Sequence, residues 1–165
     1  LLDLERAVRD SELSHVILRP AGVYGPRGSR GLWEARQRVG ITGPHSAQRV
    51  GLLHARDLAR AALHVAARAD LAQATTYNVG DDAGLQASEA ARLVSRLAGR
   101  PHLALRWPTL PKRWLRFARP PRSLAVGAPR VSSARLSKTG FALDYPHPGP
   151  GLRETLAWYK QEGWL

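Results

Sequence analysis

The sequence predicts an α/β protein in which short buried strands alternate with amphipathic helices. Residues 15–19 and 49–54 form short runs with apolar centres, and residues 75–80 are rich in β-branched and aromatic residues; all three are bounded by turn residues, a pattern typical of strands. Residues 56–66 place apolar side chains at helical spacing between two of these runs. Because the centre of the run at 15–19 is apolar and β-branched, we expect this strand to be buried in a parallel sheet that is covered on both faces.

Helices and strands are expected to follow one another in a regular order up to Pro101. The predicted order is a helix at 1–10, a strand at 15–19, a Gly/Pro loop at 21–30, a helix at 32–39, a strand at 49–54, a helix at 56–66, a strand at 75–80 and a helix from Ser88 to Gly99. Ser88 is the predicted cap of the last helix, and Glu89 supports it because the helix dipole favours an acid in the first turn.

The composition changes after Pro101. Residues 102–122 are rich in Pro, Arg and Trp and contain no acid. The predicted elements that follow are a loop at 123–131, a short helix at 132–136, a rigid Pro/Gly connector at 146–151 and a final helix at 152–162. We therefore expect two units, residues 1–100 and residues 101–165.

Composition argues against several classes of protein. No apolar run approaches the roughly 20 residues that a membrane-spanning helix needs, and charged residues interrupt the first twenty positions, where a signal peptide would need an apolar core. We therefore expect a cytoplasmic protein. The sequence has no Cys, its six His show no metal-ligand spacing and no Ser stands in a Gly-x-Ser-x-Gly motif, so no disulfide, metal site or hydrolase elbow is predicted.

The net charge and the first residues of the chain each lead to a further prediction. The net charge of +12 comes mostly from Arg, which indicates either a polyanionic partner or Arg in place of Lys on solvated faces, and we favour the second explanation. The chain contains no Met, and residues 1–6 read as the middle of a helix without an N-cap. This pattern predicts further sequence upstream of Leu1.

The motif Ile17-Leu18-Arg19-Pro20-Ala21-Gly22-Val23-Tyr24-Gly25-Pro26 is the most specific in the chain. Weaker segments follow it in order: His-Ala-Arg-Asp-Leu-Ala-Arg-Ala at 54–61, Tyr-Asn-Val-Gly at 77–80 with Ser88-Glu89, and residues 137–141 with 151–159. Together these segments resemble the extended short-chain dehydrogenase/reductases, also called the NAD-dependent epimerase/dehydratases, over nearly the whole chain.

The resemblance implies a fold and a cofactor. The fold would be the C-terminal part of a Rossmann-type, doubly wound parallel sheet at residues 1–100, with a small substrate-binding subdomain and closing helices at residues 101–165. The cofactor would be NAD or NADP. Its nicotinamide end would be bound by the backbone of Pro20, Ala21, Gly22 and Val23.

The resemblance also implies that this chain carries no catalytic residue. The family's phosphate-binding GxxGxxG loop near its N-terminus has no counterpart, since the glycines with that spacing, at 22, 25, 28 and 31, belong to the Leu-Arg-Pro to Tyr-Gly-Pro motif and the loop after it. No Tyr is followed four residues later by Lys, as the catalytic pair requires. The family's N-terminal half carries both motifs, so the implied partner is such a half of the same protein. The whole enzyme would oxidise, reduce, epimerise or dehydrate at a hydroxyl or keto carbon, and this chain alone is expected to be inactive.

The implied small-molecule substrate is a nucleotide sugar or a steroid-like compound. Many sugar-nucleotide members carry Asn where this chain has Gly22, and their diphosphate-binding Arg stands four residues before the His, whereas Arg49 stands five before His54. Gly22 and the Pro/Trp-rich segment after Pro101 look more like the steroid-dehydrogenase-like and reductase branches, whose substrates are larger and more apolar. Arg49 remains a substrate-binding candidate. The further candidates, expected to line an apolar pocket, are Leu110, Trp114 and Phe117.

The basic, aromatic segment at residues 106–122 leaves several interpretations open. It could form a substrate-pocket helix over residues 110–118, contact an anionic membrane surface, or bind nucleic acid. The pocket helix is favoured, peripheral membrane contact stays open, and nucleic acid is not expected. The alternative function is a non-enzymatic basic binding module that uses this segment. Homodimerisation also stays open.

Other polar residues are expected to have structural roles. Asp57 is expected to cap the helix that it begins, His54 to be a buried structural histidine, and Arg19 and Tyr24 to pair beneath the Gly/Pro loop. The strands at 16–19 and 52–54 read as central strands whose neighbours in the family come from the other half. We therefore expect the chain alone to be poorly stable.

Overall fold

A computed structural model of the 165-residue chain describes residues 2–11, 13–27, 49–68, 70–71, 75–81, 84–99 and 131–163. Its elements are α1 (Leu2–Arg9), β1 (Val16–Pro20), β2 (Gly22–Tyr24), β3 (Arg49–Val50), β4 (Leu52–His54), α2 (Ala55–Ala66), β5 (Thr75–Val79), β6 (Leu85–Gln86), α3 (Ala87–Leu97), α4 (Ala134–Ser137) and α5 (Pro148–Gln161). The helix predicted at 32–39 and the segment at 106–122 lie outside the described residues.

The strands form parallel and antiparallel pairs. β1 and β5 pair in parallel over their whole lengths, and so do β2 and β4. β3 and β6 form a short antiparallel pair. The predicted strand at 49–54 is therefore divided at Gly51 into two strands with different partners. The predicted α/β class with parallel strands is confirmed.

Two apolar clusters pack against the strands. One joins β2 and β4 to α3 and α5 and contains Tyr24, Val50, Leu52, Ala90, Val94, Leu152, Leu156 and Tyr159. The other joins β1 and β5 to α2 and residues 131–143 and contains Ala21, Leu53, Ala61, Val65, Tyr77, Val79, Leu136 and Phe141. Leu52 and Leu53 belong to different clusters because successive strand residues point to opposite faces. β4 is therefore covered on both sides.

Three helix starts differ from the prediction, and α4 begins at Ala134, two positions after its predicted start. The N-cap of α3 is Gln86 rather than Ser88, and the Gln86 amide donates to a Glu89 carboxylate oxygen at 2.9 Å. Ser88 lies inside the helix because β6 runs directly into it. α5 begins at Pro148, four positions before the predicted start. A Pro in the first helical turn loses no hydrogen bond, because the amides there have no partner within the helix.

The C-terminal residues 131–163 pack against both clusters: α4 and Phe141 join the β1–β5 side, and α5 joins the β2–β4 side. The predicted boundary between residues 1–100 and 101–165 adjoins a stretch outside the described residues, so it stays a prediction. None of the described helices combines the length and apolar character needed to cross a membrane.

Candidate functional site

The carboxyl ends of β1 and β5 define the candidate site. Because these strands are parallel and pair Pro20 with Val79, both end at the same edge of the sheet. Open α/β sheets bind ligands in the crevice outside such carboxyl ends. The chain leaves β1 through Ala21 and enters β2, so residues 20–23 form one side of this edge. We call residues 20–23 with 79–81 the strand-end site.

The backbone of residues 20–23 is fixed by hydrogen bonds within the protein. The Ala21 amide donates to the Val79 carbonyl at 2.8 Å, and the Gly22 amide donates to the Gly51 carbonyl at 3.1 Å. Pro20 has no amide hydrogen. A nicotinamide carboxamide would therefore have to meet groups other than these two amides, such as the Val23 amide or the carbonyl oxygens, each of which has two lone pairs.

The side chains of this segment alternate between the core and the surface. Ala21 and Tyr24 are buried, whereas Pro20 and Val23 are exposed. The outer side of the strand-end site is therefore apolar at Pro20 and Val23. The predicted role of residues 20–23 in cofactor binding stays a prediction.

Of the four predicted substrate-binding residues, Arg49 is the one that lies within the described part of the chain. It is exposed on β3, and its guanidinium donates to the Gly84 carbonyl at 3.1 Å. Two residues further on, Gly51 accepts the Gly22 amide, so Arg49 is linked through a short stretch of backbone to the strand-end site. The other predicted members lie outside the described residues: Leu110, Trp114 and Phe117.

Asp81 is a buried acid at the strand-end site that the sequence interpretation did not single out. Its amide donates to the Leu52 carbonyl at 3.0 Å, and its Oδ1 accepts the Leu52 amide at 2.8 Å. These two bonds join the end of β5 to the start of β4. Burial raises the pKa of Tyr24, and the nearby charges of Asp81 and Asp57 raise it further. The available signal was an acid placed directly after the strand-ending Gly80.

Gly80 lies between Ser133 and Ala21. Its amide donates to the Ser133 hydroxyl at 2.8 Å, and that hydroxyl donates to the Gly80 carbonyl at 2.6 Å. A Cβ at Gly80 would lie 2.8 Å from Val131 Cγ2 and 3.0 Å from Ala21 Cβ. The position therefore has no room for a side chain. No local pattern links Ser133 to this site, because 53 positions separate the two residues.

Asp57 does not cap α2 as expected, because the cap is His54. Asp57 is fully buried and accepts the amides of Asp144 at 2.8 Å and Tyr145 at 2.9 Å. The Arg60 guanidinium also donates to it at 3.1 Å. Asp57 thus fastens the segment before α5 to the start of α2.

His54 is buried, as predicted, and lies between two tyrosines. Its ring centroid is 5.2 Å from that of Tyr24 and 4.1 Å from that of Tyr145. Nδ1 accepts the Arg56 amide at 3.3 Å, while Nε2 has no hydrogen-bond partner among the described residues. Burial lowers the pKa of His54. The Tyr145 hydroxyl donates to the Glu154 carboxylate, and this bond raises the pKa of Tyr145.

Arg19 and Tyr24 do not pair as expected. Arg19 is exposed and makes a two-bond ion pair with Glu5 of α1, with Nε–Oε1 and Nη2–Oε2 distances of 2.9 and 2.5 Å. Hydrogen bonding from Arg19 lowers the pKa of the Glu5 carboxyl group. The Tyr24 hydroxyl instead donates to the Pro148 carbonyl at 3.4 Å. Within the described ranges, no group of three His, Asp or Glu side chains is placed to hold a metal ion.

Comparison with known proteins finds solved structures that share this fold. No family model and no curated protein matches the sequence. UDP-glucose 4-epimerase from Thermotoga maritima, solved with UDP-glucose, matches at a TM-score of 0.70 and 19% identity, over 98% of this chain and 50% of that chain. dTDP-glucose 4,6-dehydratase from Bacillus anthracis, solved with NAD, matches at 0.69 and 15% identity, over 99% and 50%. RMD from Pseudomonas aeruginosa, solved with NADPH, matches at 0.68 and 17% identity, over 98% and 54%.

The chain therefore has the fold of one part of these enzymes and spans about half of their length. This likeness confirms the predicted fold class, a Rossmann-type α/β fold of which this chain spans a part. The resemblance to the epimerase/dehydratases is confirmed at the level of the fold.

Proposed function

We propose that the chain is the C-terminal, substrate-binding half of an NAD(P)-dependent epimerase/dehydratase or dehydrogenase/reductase. The enzyme would act at a hydroxyl or keto carbon of a nucleotide sugar or a steroid-like substrate. The observation that carries the proposal is the placement of the Leu-Arg-Pro to Tyr-Gly-Pro motif at the joint carboxyl ends of β1 and β5, within a fold shared with such enzymes.

The proposed share of this chain in cofactor binding is the nicotinamide end. A bound nicotinamide supplies hydride transfer. Pro20 and Val23 offer exposed apolar surface on which the ring could pack, and the fixed backbone between them would orient it. In this proposal the glycines spaced as GxxGxxG at 22, 25, 28 and 31 follow the Leu-Arg-Pro strand and are not the N-terminal loop that holds the pyrophosphate. The proposed N-terminal half of the same protein would supply that loop and the Tyr-Lys pair.

The substrate is proposed to be a nucleotide sugar in preference to a steroid-like compound. The solved epimerase was crystallised with UDP-glucose, and the solved dehydratase is named for dTDP-glucose. Arg49 is exposed two residues before Gly51, whose carbonyl accepts the Gly22 amide, and a guanidinium suits a diphosphate. The pocket role of Leu110, Trp114 and Phe117 stays a prediction.

The other predictions concern the location of the protein and its partners. Cytoplasmic location, homodimerisation and peripheral membrane contact remain predictions. The alternative of a non-enzymatic basic module depends on residues 106–122, which lie outside the described part of the chain, and no described residue favours it.

The test of the nicotinamide site uses the full chain and a ligand that carries only that end of the cofactor. Backbone NMR spectra are recorded while nicotinamide mononucleotide is added, and adenosine monophosphate is the control. The proposal expects shifts at Ala21, Gly22 and Val23 with the first ligand only. Absence of shifts at these residues would contradict it.

The test of dependence on a second half is enzymatic. We expect no turnover of NAD(H) or NADP(H) by the purified chain with UDP-glucose or dTDP-glucose, because the sequence lacks the Tyr-Lys pair. Turnover that a substitution within this chain abolishes would show that the chain needs no second half.

A further inference from the structure

The Ser133 side chain is used in an unusual way for its position. Ser133 is the N-cap residue of α4, where a Ser hydroxyl normally accepts an amide of the first helical turn. The hydroxyl makes no such bond and is buried. It instead accepts the Gly80 amide and donates to the Gly80 carbonyl. The Ser132 hydroxyl accepts the Ala134 amide at 3.4 Å instead, and Ser133 binds the end of β5.

These two bonds act on the two peptide units that flank Gly80. The peptide between Val79 and Gly80 presents its N–H to Ser133 and its carbonyl to the Ala21 amide. The next peptide presents the Gly80 carbonyl to Ser133 and the Asp81 amide to the Leu52 carbonyl. Because a peptide unit is planar, fixing one side of it orients the other. Ser133 therefore orients the groups that bind Ala21 and Leu52.

Packing adds a second constraint at the same point. Gly80 approaches Ala21 and Val131 so closely that a Cβ there would overlap both side chains. Ala21 is buried between the exposed residues Pro20 and Val23, whose surface forms the proposed nicotinamide wall. A shift of Gly80 would thus move Ala21, and with it the wall.

We propose that Ser133 is a positioning residue for the nicotinamide wall, acting through the two peptide units at Gly80. The inference rests on the proposed function, since it concerns the same site. Ser133 contacts neither the cofactor nor the substrate in this proposal. It sets the backbone on which residues 20–23 stand, so its removal should weaken binding of the nicotinamide end.

The experiment measures nicotinamide mononucleotide affinity by NMR in Ser133→Ala, with two control variants. Ser132→Ala removes the exposed hydroxyl next to Ser133, which accepts the Ala134 amide and so controls for loss of a bond at the start of α4. Ser95→Ala removes a buried hydroxyl in α3. We expect about fivefold weaker binding in Ser133→Ala, as loss of roughly one hydrogen bond implies, and unchanged binding in both controls. The Ala21 amide should also exchange about tenfold faster in Ser133→Ala, whereas the Ala61 amide in α2 should not.

The outcomes separate this inference from the proposed function. Binding at residues 20–23 that is equal in the wild type and Ser133→Ala would overturn the positioning role and leave the proposed function standing. No binding by the wild type would overturn both. If Ser133→Ala does not fold, Ser133→Cys takes its place, because a thiol is near in size and a weak hydrogen-bonding group. Its affinity should fall between those of the wild type and a complete loss, and wild-type affinity would overturn the inference.

Discussion

Gly151 and Gly149 lie two positions apart in α5 but have different surroundings. A Cβ at Gly151 would lie 2.5 Å from the Tyr24 hydroxyl and 3.1 Å from His54 Cδ2, whereas a Cβ at Gly149 would meet nothing within 4 Å. Gly-to-Ala substitution normally stabilises a helix by up to about 1 kcal/mol. At Gly151 the overlap should reverse the sign.

We therefore predict that Gly151→Ala lowers the free energy of unfolding by about 1–3 kcal/mol, the usual cost of overpacking a core. Gly149→Ala, the matched control, should leave it unchanged or raise it slightly. Denaturant unfolding of both variants measures the difference. Equal effects would mean that Tyr24 and His54 do not pack against α5 as described.

His54 should make stability depend on pH. Its Nδ1 accepts the Arg56 amide, and burial lowers its pKa below the ordinary value of 6.5. The unfolded chain therefore takes up the proton more readily than the folded chain. The stabilisation is complete above the ordinary pKa and is lost as the pH falls from there through the lowered pKa.

The measurement is the thermal midpoint from pH 7.5 to 5 in the wild type and in His54→Asn, which keeps a capping side chain without a titrating ring. The wild type should lose more stability on acidification than His54→Asn. Parallel curves for the two proteins would show that His54 does not carry the effect.

The sequence could identify residues that belong to one contiguous motif. It could not identify residues whose roles depend on partners far away along the chain. The motif from Ile17 to Pro26 is contiguous, so its place at a strand end was predictable. Ser133 and Asp81 gain their roles from contacts with Gly80 and Leu52, which only the folded chain brings together. The local position of Asp57, at the start of a helix, favours a capping role. In the folded chain its carboxylate instead accepts the amides of Asp144 and Tyr145, which are distant in sequence.

At the scale of elements, α2 and the segment before α5 are joined through Asp57. Replacing Asp57 by Ala would leave the buried amides of Asp144 and Tyr145 without their acceptor and Arg60 without one partner. We predict that Asp57→Ala lowers the free energy of unfolding by about 3 kcal/mol. Asp70→Ala is the control, because its exposed pair with Arg68 should contribute little.

Denaturant unfolding of the two variants checks this prediction. Hydrogen exchange adds a local readout, since the Asp144 and Tyr145 amides should lose protection in Asp57→Ala while the amides inside α3 keep theirs. Similar stabilities for Asp57→Ala and Asp70→Ala would contradict it.

Element types were predictable, and element boundaries less so. The strands at 15–19 and 75–80 and the helix at 56–66 were placed to within a residue, because their apolar patterns are local. The start of α5 was misplaced because a Pro is read equally well as a connector or as a first helical residue. The division of residues 49–54 at Gly51 depends on two different partner strands, which no local pattern encodes.

At the scale of the whole molecule, the order of motifs predicted the shared fold, while burial corrected one expectation. Leu52 and Leu53 were expected to lack cover, but both are buried because the described residues supply clusters on both sides of β4. The uncovered apolar surface lies elsewhere. Val16 to Leu18 of β1 are only half-buried, and exposed apolar side chains gather on and just after α1.

This surface leads to the last prediction. Leu4 and Val8 stand one helical turn apart on α1 and are 72% and 42% exposed, and Leu13 follows at 75%. Contiguous exposed apolar groups favour association in water, each buried CH₂ contributing about 0.8 kcal/mol. We expect the purified chain to self-associate as its concentration rises.

Replacing all three residues, Leu4, Val8 and Leu13, by Gln leaves the net charge unchanged and should shift the chain to the monomer. Leu63→Gln is the matched control, because Leu63 is 70% exposed on α2. Size-exclusion chromatography with light scattering over a concentration series gives the mass, and a wild type that stays monomeric throughout would show that this surface does not drive association.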